Sequence, residues 1–204
     1  MNRPGKVVCV GRNYRDHARE LGNEVPKEPL LFLKPPSSVI GEGETIRLPA
    51  VSERVEYEAE IGVVIGARLT DATVEQARAA VRGIVALNDV TARDLQKSDG
   101  QWTRAKGFDT FCAIGPEAPA PAALDGLTVV ARVNGEERQR GRASDMVFDI
   151  PALLSYISRI MTLEPGDVVA TGTPAGVGPL APGDVVEIEV VGLSQVRNPV
   201  DARR

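Results

Sequence analysis

Short apolar runs rich in Val and Ile recur along the whole chain, and each is bounded by Gly, Pro or Asp. The runs are KVVCV, PLLFL, VEYEAEIGVVIG, IVALNDV, LTVVARVNG, DVVATG and VVEIEVVG. Runs of this length and composition are typical of β-strands. Helical patterns are fewer: TVEQARAAVRG with Thr73 as a candidate N-cap, DIPALLSYISRIM with Asp149 before its proline, and the shorter RDHARELG. The pattern predicts a β-rich, mixed α/β fold with a few short helices.

The composition is that of an ordinary globular protein. The 204 residues allow one sizeable core, so we expect a single catalytic domain over 1–204. The net charge of −4 comes without a basic patch, which argues against nucleic acid as a partner. The apolar runs are too short to cross a bilayer, and no signal peptide is expected, so a cytoplasmic protein is the default. Two cysteines make no disulfide framework and are expected to be buried thiols.

The strongest chemical signal is an acidic strand. In VEYEAEIGVVIG, Glu56, Glu58 and Glu60 alternate with apolar residues, so the period of a strand places the three carboxylates on one face. A solvated face of an edge strand is the ordinary explanation. However, the strand continues into the apolar run GVVIG, and like charges about 7 Å apart repel unless a cation lies between them.

A further carboxylate, Asp89, ends the apolar run IVALNDV. It caps a turn at the end of a strand, or it is a buried carboxylate that needs a partner. Glu58, Glu60 and Asp89 together would make an all-oxygen site that suits Mg²⁺ or Mn²⁺. Zinc is disfavoured because His17 is the only histidine and no cysteine cluster exists. Three protein ligands would leave about three octahedral positions open for water and a chelating substrate.

Two other segments carry polar groups with weaker signals. TRAKGFDTF places Lys106 among small residues, although a solvated lysine is the usual case. VVATGTPAGVG follows a strand with a glycine-rich turn that could bring backbone N–H groups and threonine hydroxyls to an anion. It matches neither the P-loop nor the dinucleotide-binding pattern. GNEVPKEP, residues 22–29, is the best candidate for a mobile loop.

Seven motifs in a fixed order resemble the fumarylacetoacetate hydrolase family. They are GRNYRDHARELG, LFLKPPSSV, EYEAEIGVVIG, ALNDVTARDLQ, WTRAKGFDTF, VNGEERQRGRASDMVFDI and TGTPAGVGPL. The similarity extends over about residues 6–198 and is strongest to the small single-domain members, which include acylpyruvate hydrolases and oxaloacetate decarboxylases. The resemblance implies a mixed β-roll assembled as a homodimer.

The resemblance also assigns roles to individual residues. The implied metal ligands are Glu58, Glu60 and Asp89, the implied catalytic residues are His17, its partner Glu20 and Lys106, and the implied substrate contacts are Arg12, Gln96 and Thr173. Glu56 is left outside the ligand set, either beside it or at the surface. His17 and Glu20 stand three positions apart on a short helix, so their side chains share a face. A carboxylate beside an imidazole orients it, which makes this pair a predicted general-base dyad.

The expected function is metal-dependent cleavage of a C–C bond in a 2-oxo acid. Acylpyruvate hydrolysis and oxaloacetate decarboxylation both pass through a pyruvate enolate that Mg²⁺ or Mn²⁺ would stabilise. The alternative is an isomerase or decarboxylase of unsaturated oxo-diacids of the 2-hydroxyhepta-2,4-diene-1,7-dioate type, from aromatic catabolism. A Mg²⁺-dependent binding protein for 2-oxo acids, without activity, is less favoured. A purely structural domain would leave the three carboxylates unexplained.

Overall fold

The computed structural model describes residues 3–20, 22 and 24–202 of the chain. Numbered along the chain, the strands are β1 (Val7–Gly11), β2 (Leu30–Lys34), β3 (Val39–Ile40), β4 (Ile46–Leu48), β5 (Val55–Tyr57), β6 (Ala59–Ile65), β7 (Val81–Asp89), β8 (Thr91–Ala92), β9 (Cys112–Ile114), β10 (Ala118–Pro119), β11 (Thr128–Val133), β12 (Glu136–Arg142), β13 (Val168–Ala170), β14 (Gly178–Pro179), β15 (Val185–Val190) and β16 (Ser194–Ala202). The helices are α1 (Arg15–Glu20), α2 (Val74–Ala79), α3 (Arg93–Ser98), α4 (Thr103–Lys106) and α5 (Ile150–Ser158), and 3₁₀ turns cover Pro36–Ser38 and Ala143–Asp145.

The largest sheet is curled. Its strand order is β2-β1-β13-β6-β7-β9-β3, with β10 also paired to β7. The edge strands β2 and β3 follow one another in the chain and are joined by Pro35 and the turn Pro36–Ser38. Seven strands in a flat sheet would hold their edges about 29 Å apart. The connection from Lys34 to Val39 reaches at most about 18 Å, so the sheet has to curl for its edges to be joined.

The inner face of this curled sheet carries a small apolar cluster. Its buried members are Val7, Cys9, Val64, Val85, Leu87, Cys112, Ile114, Val168 and Ala170. The thiols are buried as expected, and burial raises the pKa of Cys112 to about 12. Because side chains alternate across a strand, Lys34, Glu60 and Asp89 lie on the same face as this cluster. The charged groups therefore stand at one end of an apolar interior.

The outer face of the curled sheet packs against a second sheet. That sheet has the order β12-β11-β15-β16-β4, and its strands β11, β15 and β16 contact β6 and β7. The main apolar core lies between the two sheets. Helices α2 and α5 pack on one another and complete this core, to which α5 contributes Leu153, Leu154 and Ile157. The architecture confirms the predicted β-rich, mixed α/β fold.

The acidic segment differs from the prediction in one respect. VEYEAEIGVVIG was expected to form one strand, but the structure divides it into β5 and β6 at Glu58. β5 belongs to a small third sheet, β14-β5-β8, so the segment passes from one sheet to another. At the break, the N–H of Glu58 donates to the Asn88 side chain (3.0 Å), and the N–H of Asp89 donates to the Glu58 carbonyl (2.9 Å). Glu58 and Glu60 nevertheless point to the same side, since one oxygen of each lies within 4.8 Å of the other.

The predicted helices are confirmed. Thr73 and Gln76 form a capping box at the start of α2, and the Asp149 side chain caps α5 by accepting from Ala152 N (2.8 Å). The patterns did not indicate α3, α4 or the strands β3, β4, β8, β9, β10, β12, β14 and β16. In the predicted mobile loop, residues 22 and 24–29 form neither helix nor strand, and Asn23 lies outside the described residues. The mobility of this loop stays a prediction. None of the described helices is long and apolar enough to cross a membrane.

The capping box gives a first test of local stability. Replacing Thr73 with Ala removes the acceptor of the Gln76 N–H and should lower the free energy of unfolding by about 1 kcal/mol. For a domain of this size we expect Tm to fall by roughly 2–4 °C, measured by thermal and urea unfolding. Thr73→Ser keeps the hydroxyl and is the matched control. Equal losses in the two variants would show that the hydroxyl does not cap the helix.

Candidate active site

Three carboxylates meet where β5, β6 and β7 come together. Glu58 occupies the junction of β5 and β6, Glu60 follows on β6, and Asp89 ends the neighbouring strand β7. They are 4%, 1% and 0% exposed, and one oxygen of each lies within 4.8 Å of the others. Antiparallel pairing of Ala59 with Asn88 brings the two strand ends side by side. The tertiary structure therefore assembles the predicted ligand set.

Buried cations hold two of these carboxylates. The Lys106 ammonium donates to Glu58 Oε2 (2.8 Å) and Asp89 Oδ2 (2.6 Å). Lys34 donates to Asp89 Oδ1 (2.6 Å), and Arg93 Nη2 donates to Glu58 Oε1 (2.6 Å). Both lysines are almost wholly buried, at 1% and 2% exposed. A carboxylate this deep requires such partners, because an unpaired buried charge is strongly destabilising.

The surrounding charges and burial shift the pKa values of Glu58 and Glu60 in opposite directions. Burial acts to raise the pKa of Glu58, but the charges of Lys106, Arg93 and His17 outweigh it and lower that pKa. Burial and then the charges of Asp89 and Glu58 hold the pKa of Glu60 well above its ordinary value. Within the described chain no ion pair includes Glu60, and its Oε2 accepts only the N–H of Gly172 (2.7 Å).

The donor set therefore fits a hard divalent cation. The acceptors are carboxylate oxygens alone, close enough to share one ion. The crowding that disfavours the charged form of Glu60 is the repulsion that a cation between the three groups would relieve. Such an ion would compete with the Lys106 ammonium for Glu58 and Asp89.

Glu56 lies outside this ligand set, but it is buried and not at the surface. Its Oε2 accepts from Arg93 Nε (2.6 Å) and its Oε1 from Arg54 Nε (2.6 Å). Arg93 thus bridges Glu56 and Glu58, and burial, which lowers its pKa, is outweighed by the two carboxylates, which raise it. Glu56 orients the arginine that in turn orients Glu58.

His17 and Glu20 lie on α1, as predicted. His17 is 4% exposed, and its Nδ1 lies 3.2 Å from Glu20 Oε2. A carboxylate only accepts, so Nδ1 is the donor in this contact, and Glu20 does not engage Nε2. The N–H of Gly176 donates to Glu20 Oε1 (3.0 Å), which ties α1 to the glycine-rich loop.

That loop, residues 172–177, follows β13 and runs beside β6. The Thr173 hydroxyl donates to the Ala59 carbonyl (2.9 Å) and accepts from the Gln139 amide (2.8 Å). Gln139 also accepts from Ala59 N (2.9 Å). The hydroxyl proton of Thr173 is therefore committed to the protein, and this residue positions the loop.

All nine predicted site residues line one cavity of about 750 Å³. Arg12 and Gln96, the other predicted substrate contacts, lie on its wall, and Gln96 Oε1 accepts from Arg93 Nη1 (2.6 Å). Phe32 and Trp102 form an apolar part of the wall, with ring centroids 5.3 Å apart. The cavity thus joins a carboxylate cluster, a histidine and an apolar surface.

Sequence reasoning missed four charged residues of this site: Arg54 and Lys97, which line the cavity, and Lys34 and Arg93, which hold the carboxylates. Lys34 follows the apolar run of β2, and the argument applied to Asp89, a charge at the end of a buried strand, would have found it. Arg93 offers no such signal, because only the fold places it between Glu56 and Glu58.

Comparison with known proteins agrees with this geometry. Residues 6–201 match the family model "Fumarylacetoacetate (FAA) hydrolase C-terminal". The chain is 46% identical to oxaloacetate tautomerase FAHD1, mitochondrial, of Arabidopsis thaliana, over 97% of this chain and 92% of that protein. It is 44% identical to the mitochondrial oxaloacetate decarboxylase of Dictyostelium discoideum, over 92% of this chain and 89% of that protein.

A solved structure extends the comparison to the fold. Fumarylpyruvate hydrolase from Pseudomonas aeruginosa, in complex with Mn²⁺ and pyruvate, superposes with a TM-score of 0.89 at 35% identity. The match covers 97% of this chain and 90% of that one. With the family model spanning nearly all of its length, the chain belongs to the fumarylacetoacetate hydrolase family of enzymes.

Proposed function

We propose that this enzyme cleaves a C–C bond in a 2-oxo acid, by hydrolysing acylpyruvates, decarboxylating oxaloacetate, or both. The observation that carries the proposal is that the buried carboxylate cluster and the His17–Glu20 pair open into the same cavity. The names of the relatives from Dictyostelium discoideum and Pseudomonas aeruginosa support these reactions.

The carboxylate end of the cavity would hold the 2-oxo acid. Glu58, Glu60 and Asp89 would bind Mg²⁺ or Mn²⁺, which when bound supplies a Lewis acid for the carboxylate and keto oxygens of the substrate. Burial, which lowers the pKa of Lys106, is outweighed by Asp89 and Glu58, which raise it, so the ammonium stays charged. Lys106 is thus a fixed donor for the oxygen that becomes negative as the bond breaks.

The histidine end of the cavity would supply the base. With Nδ1–H directed at Glu20, Nε2 of His17 is free to take a proton from water, and Glu20 stabilises the imidazolium that results. The activated water attacks the distal acyl carbonyl of an acylpyruvate. Decarboxylation of oxaloacetate needs no activated water, so it does not require this base.

Tautomerisation of oxaloacetate is a second candidate. It requires only that a proton moves between the methylene carbon and the keto oxygen, which His17 and Lys106 could perform without breaking a C–C bond. The name of the Arabidopsis thaliana relative, 46% identical to this chain, favours including it.

The remaining features of the proposal rest on the resemblance. We expect Arg12, Gln96 and Thr173 to contact the substrate from the wall of the cavity. We also propose one catalytic domain over 1–204, a homodimer in solution and a cytoplasmic location. Light scattering on the purified protein would test the dimer.

Substrate progress curves provide the deciding measurement. Acetylpyruvate and the keto and enol forms of oxaloacetate would be followed by ultraviolet absorbance, with pyruvate assayed separately, in Mg²⁺, in Mn²⁺ and in EDTA. We expect metal-dependent turnover that EDTA abolishes. Pyruvate formation identifies cleavage, and enol loss without pyruvate identifies tautomerisation. Turnover of neither compound, with oxo-diacids of the 2-hydroxyhepta-2,4-diene-1,7-dioate type consumed, would transfer the assignment to the alternative reaction.

The metal site can be tested without turnover. At a free Mg²⁺ or Mn²⁺ concentration of 100 times Kd, binding should raise Tm by roughly 5–10 °C. Glu58→Gln removes one ligand charge and should abolish both this shift and activity. Glu164→Gln changes a surface carboxylate that pairs with Arg68, and it should preserve both. A full shift in Glu58→Gln would refute the ligand assignment.

The proposed role of His17 in hydrolysis, but not in decarboxylation, gives a further prediction. His17→Ala should lower kcat for acylpyruvate hydrolysis by about 10²–10⁴-fold, because the water loses its base. Oxaloacetate decarboxylation should remain within about tenfold of the wild type, since it activates no water. Steady-state kinetics on both substrates would check this. Equal losses in the two reactions would contradict the assignment of His17 to water.

A further inference from the structure

Gly176 is held from two sides by residues that belong to different parts of the fold. Its N–H donates to Glu20 Oε1 (3.0 Å), and its carbonyl accepts from the Tyr57 hydroxyl (3.0 Å). Glu20 in turn contacts Nδ1 of His17 (3.2 Å). These contacts form a continuous path from Tyr57 through Gly176 and Glu20 to the imidazole.

The backbone at Gly176 packs closely against that of Arg138. Its φ of +102° lies in the region that favours glycine, and a Cβ built there would lie 2.2 Å from the carbonyl oxygen of Arg138. The adjoining Gly178 pairs with Tyr57 in the small sheet, so the loop is fixed at its far end as well. The direction of the Gly176 N–H is therefore set by its surroundings.

Tyr57 is placed to anchor that residue. It stands between Glu56 and Glu58, its side chain alternates to the opposite face, and its ring packs in the main core with only 4% exposed. The hydroxyl at the end of the buried ring makes its hydrogen bond to the loop. A carbonyl oxygen only accepts, so the phenol is the donor in this hydrogen bond.

We infer that Tyr57 is a positioning residue for the general base, acting on His17 through Gly176 and Glu20. The inference rests on the proposed role of His17. Tyr57 touches neither the base nor the cavity. Its hydroxyl fixes Gly176, whose N–H fixes the carboxylate that selects the Nδ1–H form of the imidazole. The segment that carries two candidate metal ligands thereby also orients the base.

The single histidine makes the inference directly measurable. In untagged protein, the ¹⁵N chemical shifts of the only imidazole report which ring nitrogen carries the proton. With Mg²⁺ present at fixed pH, the wild type should show the Nδ1–H form. Tyr57→Phe keeps the ring and loses the hydroxyl, and Gly176→Ala displaces the same residue by another route. Both should shift the signal toward the Nε2–H form. Wild-type ring shifts in both variants would overturn the inference.

Kinetics give an independent readout. Tyr57→Phe should lower kcat for acylpyruvate hydrolysis by roughly tenfold, part of the effect of a positioned base, with KM and the Mg²⁺-induced Tm shift unchanged. In a Glu20→Ala background the same change should have no further effect, because the path is already broken. Tyr156→Phe, on α5 and away from the cavity, is the matched control. Additive losses from Tyr57→Phe and Glu20→Ala would contradict the path.

The two measurements separate this inference from the proposed function. Altered imidazole shifts in Tyr57→Phe, without any hydrolysis by the wild type, would leave the positioning role standing and remove hydrolysis. If the wild type hydrolyses acylpyruvates but Tyr57→Phe leaves the imidazole shifts and kcat unchanged, hydrolysis stands and the positioning role of Tyr57 is removed.

Discussion

The structure depends on the ion pairing of buried carboxylates. Glu58 and Asp89 are almost wholly buried, and Lys34, Lys106 and Arg93 donate hydrogen bonds of 2.6 to 2.8 Å to them in place of solvent. Of the three carboxylates, only Glu60 has no ion pair among the described residues, and burial together with its two acidic neighbours raises its pKa. The pairing thus satisfies most of the negative charge and leaves a place suited to a divalent cation.

The curled sheet explains why such a cluster exists at all. Curling turns one face of β1, β2, β6, β7, β9 and β13 into an apolar interior, and strand ends carry the charges at its mouth. Glu60 and Asp89 come from the paired strands β6 and β7, whereas Lys34 on β2 reaches Asp89 because the curl brings β2 toward β7. Apolar packing therefore supplies both the rigidity and the low polarity that strengthen the charged contacts.

One segment serves several parts of the site. Residues 55–61 provide Glu58 and Glu60 for the carboxylate cluster, while the Tyr57 hydroxyl and the Ala59 carbonyl bind the glycine-rich loop. The loop then reaches Glu20 on α1. The carboxylate cluster and the imidazole, which come from distant parts of the sequence, are in this way set relative to one another by hydrogen bonds to a shared backbone.

The sequence by itself determined the strand-rich class, the helices at Thr73 and Asp149, the shared face of Glu58 and Glu60, and the spacing of His17 and Glu20. These follow from local periodicity and capping, which act over a few residues. Only the tertiary structure decided that the acidic run divides at Glu58 and that Arg93 and Lys34 complete the charge cluster. It also decided that Gly176 joins Tyr57 to Glu20. Those contacts link residues far apart in the chain, and no local pattern encodes a pairing that depends on how the sheet curls.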